Sequence, residues 1–113
     1  MPDTFSVEQT FFAGKAAFDW LIHESDRLII VKFVAPYCPS CKTLQPVLHQ
    51  IANDNTGKLH LVELDMAEEP ELAINFEVRS APTVVLLKQQ QKIGQIVGLK
   101  PKKEYTGMIQ SAL

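Results

Sequence analysis

The sequence predicts an α/β fold: a mixed sheet of four or five strands with helices on both faces. Three observations predict it. Apolar runs of strand length alternate with segments of helical periodicity through most of the chain. Two further strand-like runs, "TVVLLK" and "KIGQIVG", follow one another across a polar turn, which marks a hairpin. Early βα alternation ahead of a hairpin puts parallel and antiparallel pairs in one sheet.

Each element carries its own signal. In "EQTFFAGKAAFDWLIHES", Phe11, Ala17, Phe18, Leu21 and Ile22 recur at near-helical spacing. Gly14 weakens the first part, so the helix is placed at Lys15 to Glu24, with a short strand allowed near Phe5. "LIIVKFVA" is a continuous apolar run rich in β-branched residues, as in a strand covered on both faces. From Pro39 to about Asn53, Leu44, Val47, Leu48 and Ile51 form a helical stripe, which Pro46 should kink. "KLHLVELD" reads as the next strand. "EEPELAINF" reads as a short helix with acidic residues in its first turn, where the helix dipole favours them. After the hairpin, "KPKKEYTGMIQSAL" reads as a closing helix with Pro101 near its start. Tyr105, Met108, Ile109 and Leu113 share one face of it. Trp20 is assigned to the core.

The bulk numbers fit one ordinary domain, 1–113. At 113 residues, 46% hydrophobic and 21% charged, the chain can bury a core without metal or disulfide staples. A formal net charge of -2 gives no basic footprint for nucleic acid. No apolar run approaches membrane-spanning length, and "MPDTFSVEQTFFAGK" does not read as a secretory leader. The expectation is a cytoplasmic monomer with no nucleic-acid and no membrane partner, where a lasting structural disulfide is uncommon.

Cys38 and Cys41 in "VAPYCPSCK" are the only cysteines. A lone C-x-x-C leaves a metal clip, a structural disulfide and an electron-exchanging pair open. Structural zinc takes four ligands, and His23, His49 and His60 share no ligand spacing, so no metal is expected. Lys42 follows Cys41, which excludes the haem-attachment pattern. His49 and His60 read as surface or partly buried structural residues. Cys38 falls where a strand gives way to a helix, and free N–H groups there favour a thiolate. Pro39 costs nothing in the first turn. Cys41, three residues on, returns to the same side and is placed to close on Cys38.

"VKFVAPYCPSCKTLQPVL", "RSAPTVVLL" and "IVGLK" together resemble the thioredoxin family, in order and spacing, across nearly the whole chain. "HESDRLIIV", "LQPVLHQI", "VELDMAEEPELA" and "GLKPKKEY" resemble more narrowly the C-terminal thioredoxin domain of NADPH-dependent thioredoxin reductase C, the cyanobacterial and chloroplast type. The resemblance implies a thioredoxin fold and a disulfide reductase, an electron carrier of cell redox homeostasis. It makes Cys38 the attacking thiol and Cys41 the resolving thiol. Tyr37, Pro39, Ser40, Ala81, Pro82, Val97 and Gly98 would bind substrate, with Pro82 cis. It implies no bound cofactor. Electrons would come from an NADPH- and FAD-dependent thioredoxin reductase or a fused reductase domain. Disulfide-containing proteins, 2-Cys peroxiredoxin among them, would be targets, and a plastid origin would put the chain in the chloroplast stroma. A glutaredoxin-like or oxidising exchanger, or a thioredoxin-like binding module with little turnover, are the rival readings.

The sequence departs from the family in three places. The spacer is Pro39-Ser40 rather than Gly-Pro, and Ser40 either donates to the Cys38 thiolate or faces water. Val34 stands where a tryptophan is common. Lys32 stands where the family usually carries a buried aspartate that assists proton transfer. A buried ammonium needs a partner. Either Glu63 on the neighbouring strand supplies it, making the pair a proton-transfer or tuning element, or Lys32 carries its amine out to solvent. The second needs no matched partner and is the simpler expectation. Lys100, Lys102 and Lys103 read as a solvated run more simply than as a docking patch.

Overall fold

The computed structural model describes residues 5–113, so the first four residues of the expected domain lie outside it. The order is β1 (Phe11–Ala13), α1 (Lys15–Glu24), β2 (Leu28–Val34), α2 (Pro39–Asp54), β3 (Leu59–Asp65), α3 (Pro70–Asn75), β4 (Thr83–Lys88), β5 (Gln91–Val97) and α4 (Lys102–Ala112). The sheet order is β1-β3-β2-β4-β5, parallel for β1, β3 and β2 and antiparallel for β4 and β5. This is the mixed five-stranded sheet expected, in its larger form.

Phe5 itself lies in no strand; among the described residues the short strand is Phe11–Ala13. Phe11, counted above with a helical stripe, pairs instead with Leu61 in parallel register. The chain leaves β1 through Gly14, whose φ of 92° is the left-handed conformation that glycine adopts without a Cβ clash, and α1 starts at the next residue. Helix α2 runs on through Pro46.

Strand alternation divides the core in two. Ile29, Val31 and Phe33 face α1 and α3 with Phe18, Leu21 and Ala73. Leu28 and Ile30 face α2 and α4 with Leu44, Leu48, Ile51, Tyr105 and Ile109. Period two continues to Lys32, which is thereby turned beneath α2. The first face is also aromatic: Phe12 lies 6.3 Å from Trp20 and 5.5 Å from His60 by ring centroids. His60 is neither at the surface nor partly buried. It is fully buried, with Nδ1 2.9 Å from the Gln9 carbonyl and Nε2 2.7 Å from Ser25 Oγ. The Nδ1–H donates to the carbonyl and the serine hydroxyl donates to Nε2, so the ring is satisfied while neutral.

Topology brings the candidate residues to one end of the sheet. Cys38 follows the C-terminal end of β2. Antiparallel pairing sets Phe33 opposite Thr83, so Pro82 enters β4 at that same end. Thr83 pairs in turn with Val97, so β5 ends there too.

Candidate active site

Cys38 is the N-cap of α2, and Pro39 is the first helical residue. The preceding turn passes through Pro36 and then Tyr37, whose φ of 57° is unusual for an aromatic residue and marks local strain. Tyr37 stands fully exposed beside the cysteines. The Cys41 N–H donates to Cys38 Sγ at 3.2 Å, so the sulfur takes the place of a capping oxygen. The two cysteines are joined as a disulfide with Cα atoms 5.3 Å apart. They are unequally exposed: Cys38 is half-buried, whereas Cys41 is 6% exposed. Ser40 is half-buried and makes no side-chain hydrogen bond among the described residues.

Lys32 does not reach solvent. It is 2% exposed, and its Nζ donates to the Cys41 carbonyl at 3.1 Å. The Glu63 carboxylate lies 3.6 Å away, as an ion pair beyond hydrogen-bond range. The expectation of an amine carried outward fails because Lys32 points under the first turn of α2, where a carbonyl and a carboxylate both receive it. Burial pushes its pKa down from 10.5, and Glu63 pushes it back up. A cleft of about 160 Å³ lies against the disulfide, lined by Lys32, Tyr37, Cys38, Cys41, Gln45 and Glu63 among others.

Ala81, Pro82, Val97 and Gly98 are not part of that cleft's lining. They lie together at the same end of the sheet. The Ala81–Pro82 bond is cis. The Gly98 N–H donates to the Pro82 carbonyl at 2.8 Å, tying the end of β5 to the entry of β4. Pro82 is buried, Ala81 and Gly98 are half-buried, and Val97 is exposed. Among the described residues, no group of three or more His, Cys, Asp or Glu side chains is placed to hold a metal ion. No described helix is long and apolar enough to cross a membrane. Of the lysine run, Lys102 reaches back to Gln50 of α2 at 2.8 Å.

The thioredoxin family model matches residues 9–111. The chain belongs to the thioredoxin family. It is 33% identical over 109 residues to NADPH-dependent thioredoxin reductase 3 of Arabidopsis thaliana, covering 96% of this chain but only 21% of that enzyme. It is 37% identical over 84 residues to a thioredoxin of Staphylococcus saprophyticus, covering 74% of this chain and 81% of that one. Among solved structures, a thioredoxin of Nicotiana alata superposes with a TM-score of 0.78 at 29% identity, covering 96% of this chain and 97% of that one. A thioredoxin of Schistosoma mansoni reaches 0.82 at 22% identity, which speaks for the fold alone. The thioredoxin fold and the C-x-x-C pair go with a protein-disulfide reductase, and the chain is one of that type.

Sequence reasoning missed Tyr105 as more than a core residue. Its hydroxyl bonds the loop that follows β5. A lone tyrosine within an otherwise aliphatic stripe was the available signal.

Proposed function

We propose that the chain reduces disulfides in target proteins through a mixed disulfide on Cys38. In the reduced protein the Cys38 thiolate attacks a target sulfur. The target S–S bond breaks, one target sulfur leaves as a thiolate, and a Cys38–target bond forms. Cys41 then gives up its proton and attacks Cys38 Sγ. The second target thiolate leaves and the Cys38–Cys41 bond closes, so two electrons have passed to the target. A reductase of the NADPH and FAD class, separate or fused, returns them; the resemblance to a plant thioredoxin reductase supports this. That the chain acts as one domain, carries no cofactor and works in a cytoplasmic or stromal setting belongs to the same reading.

One observation carries the proposal. The more exposed cysteine caps a helix and accepts an N–H on its sulfur, while its disulfide partner is buried. Free N–H groups at the helix start stabilise the attacking thiolate. Tyr37, Pro39, Ser40, Ala81, Pro82, Val97 and Gly98 are the substrate-binding set. The Ala81 backbone pairs with an extended target segment by strand addition. Lys32 and Glu63 tune Cys41 from below. 2-Cys peroxiredoxin is a candidate target. Insulin reduction by wild type and by Cys38→Ser tests the reading. Thiol-dependent turnover lost in Cys38→Ser supports it; equal turnover in both proteins overturns the role of Cys38, and no turnover in wild type sinks the reading in favour of a binding module.

A further inference from the structure

Tyr105, on α4, is fully buried among Leu28, Ile30, Leu44, Leu48 and Ile109. A phenylalanine would fill that space with no polar atom to satisfy. The hydroxyl instead donates to the Gly98 carbonyl at 2.9 Å and accepts the Lys100 N–H at 3.1 Å. Burial raises its pKa above 10, so the group stays a neutral donor. A buried hydroxyl costs stability unless bonded, and here both bonds go to a single three-residue turn. Gly98, at φ 81°, turns its own N–H to the Pro82 carbonyl at 2.8 Å. One side chain rooted in the core therefore reaches the Pro82 segment through one glycine.

We propose that Tyr105 is a positioning residue of the substrate groove: its hydroxyl fixes Gly98, and through Gly98 the Pro82 segment on which a target strand docks. This rests on the reading of Ala81, Pro82, Val97 and Gly98 as the docking wall. The hydroxyl's hydrogen bonds go to the Gly98–Lys100 turn and to neither cysteine, so it governs protein substrates and not the thiols themselves.

The test compares Tyr105→Phe with wild type on insulin and on a small aromatic disulfide that needs no groove. The expected result is a KM for insulin raised about five- to tenfold, as one lost hydrogen bond of ordinary net strength produces. The kcat, the small-disulfide rate and the midpoint potential of the cysteine pair stay within about twofold of wild type or unmoved. An unchanged insulin KM overturns the proposal, as does an equal loss on both substrates. Pro82→Ala separates the two readings. If it leaves insulin KM unchanged, the docking wall itself is wrong; if it raises KM while Tyr105→Phe does not, only the Tyr105 inference fails. Should Tyr105→Phe not fold, wild-type amide exchange decides. The Lys100 N–H, which donates to the Tyr105 hydroxyl, reports on it: protection equal to the β4–β5 ladder supports the proposal, and open-loop exchange overturns it.

Discussion

Lys32 Nζ lies 3.6 Å from Glu63 Oε1, across the parallel register that sets these two residues side by side on β2 and β3. The Glu63 side chain is 45% exposed, so it stays solvated when its partner is removed. Replacing Lys32 with methionine, of similar length, therefore leaves no stranded buried charge. The expected stability change is between none and a gain of about 1–2 kcal/mol, since an apolar isostere avoids the desolvation cost. The chemistry moves more. An ammonium under Cys41 favours its thiolate, hence the reduced pair. Without it, the midpoint potential of Cys38–Cys41 falls by about 30 mV for each 1.4 kcal/mol lost. A redox titration of Lys32→Met that matches wild type would remove Lys32 from the tuning role.

His60 makes stability fall in mild acid. Burial, the larger cause, and Arg27 lower its pKa from 6.5, while the Gln9 carbonyl and Glu8 oppose the shift. The folded protein then binds fewer protons than the unfolded chain between the depressed value and 6.5. Stability is fully present above 6.5 and is lost as pH falls through that window. Urea unfolding at pH 7.5 and at pH 5 reads the loss. His60→Gln should flatten this part of the profile, and an unaltered slope would show that other groups cause it.

The sheet and the longer helices were legible because strand runs such as "LIIVKFVA" are almost wholly apolar and α1, α2 and α4 each carry an apolar stripe. The strand at Phe11–Ala13 was not. Three residues give no periodicity, and what makes them a strand is pairing with Leu61, Val62 and Glu63, distant in sequence. The same non-locality hid His60, whose neutral state depends on Ser25 and Gln9. For Lys32, strand alternation makes Glu63 legible as a partner, but the acceptor that holds the amine inward is the Cys41 main-chain carbonyl, which no sequence motif announces. The cysteines were legible because their helix-start placement is local.

Cys41→Ser should trap the intermediate that the proposed reaction passes through. Serine oxygen at the resolving position does not attack Cys38 Sγ at neutral pH, so the reaction stops after the first exchange. Incubation with a disulfide-containing protein is expected to give a covalent adduct that a strong thiol reductant releases. The adduct should be absent with Cys38→Ser, whose remaining thiol is the buried one. Equal adduct from both variants would mean that the two cysteines are interchangeable, contrary to their unequal exposure.

Gly98 and Gly94 should respond to alanine in opposite ways. A Cβ on Gly98 would meet nothing within 4 Å, yet its φ of 81° is left-handed, which costs an L-residue about 1–2 kcal/mol. A Cβ on Gly94 would come 2.9 Å from Met108 Sδ, the far part of a flexible side chain that can swing aside. Alanine there also reduces the freedom of the unfolded chain, a gain of about 0.4–1 kcal/mol. Gly94→Ala is thus expected within about 1 kcal/mol of wild type, and Gly98→Ala to be the less stable variant with a raised insulin KM. Urea midpoints rank the two. A larger loss at Gly94 would mean that space around Met108, and not backbone conformation, governs this edge of the sheet.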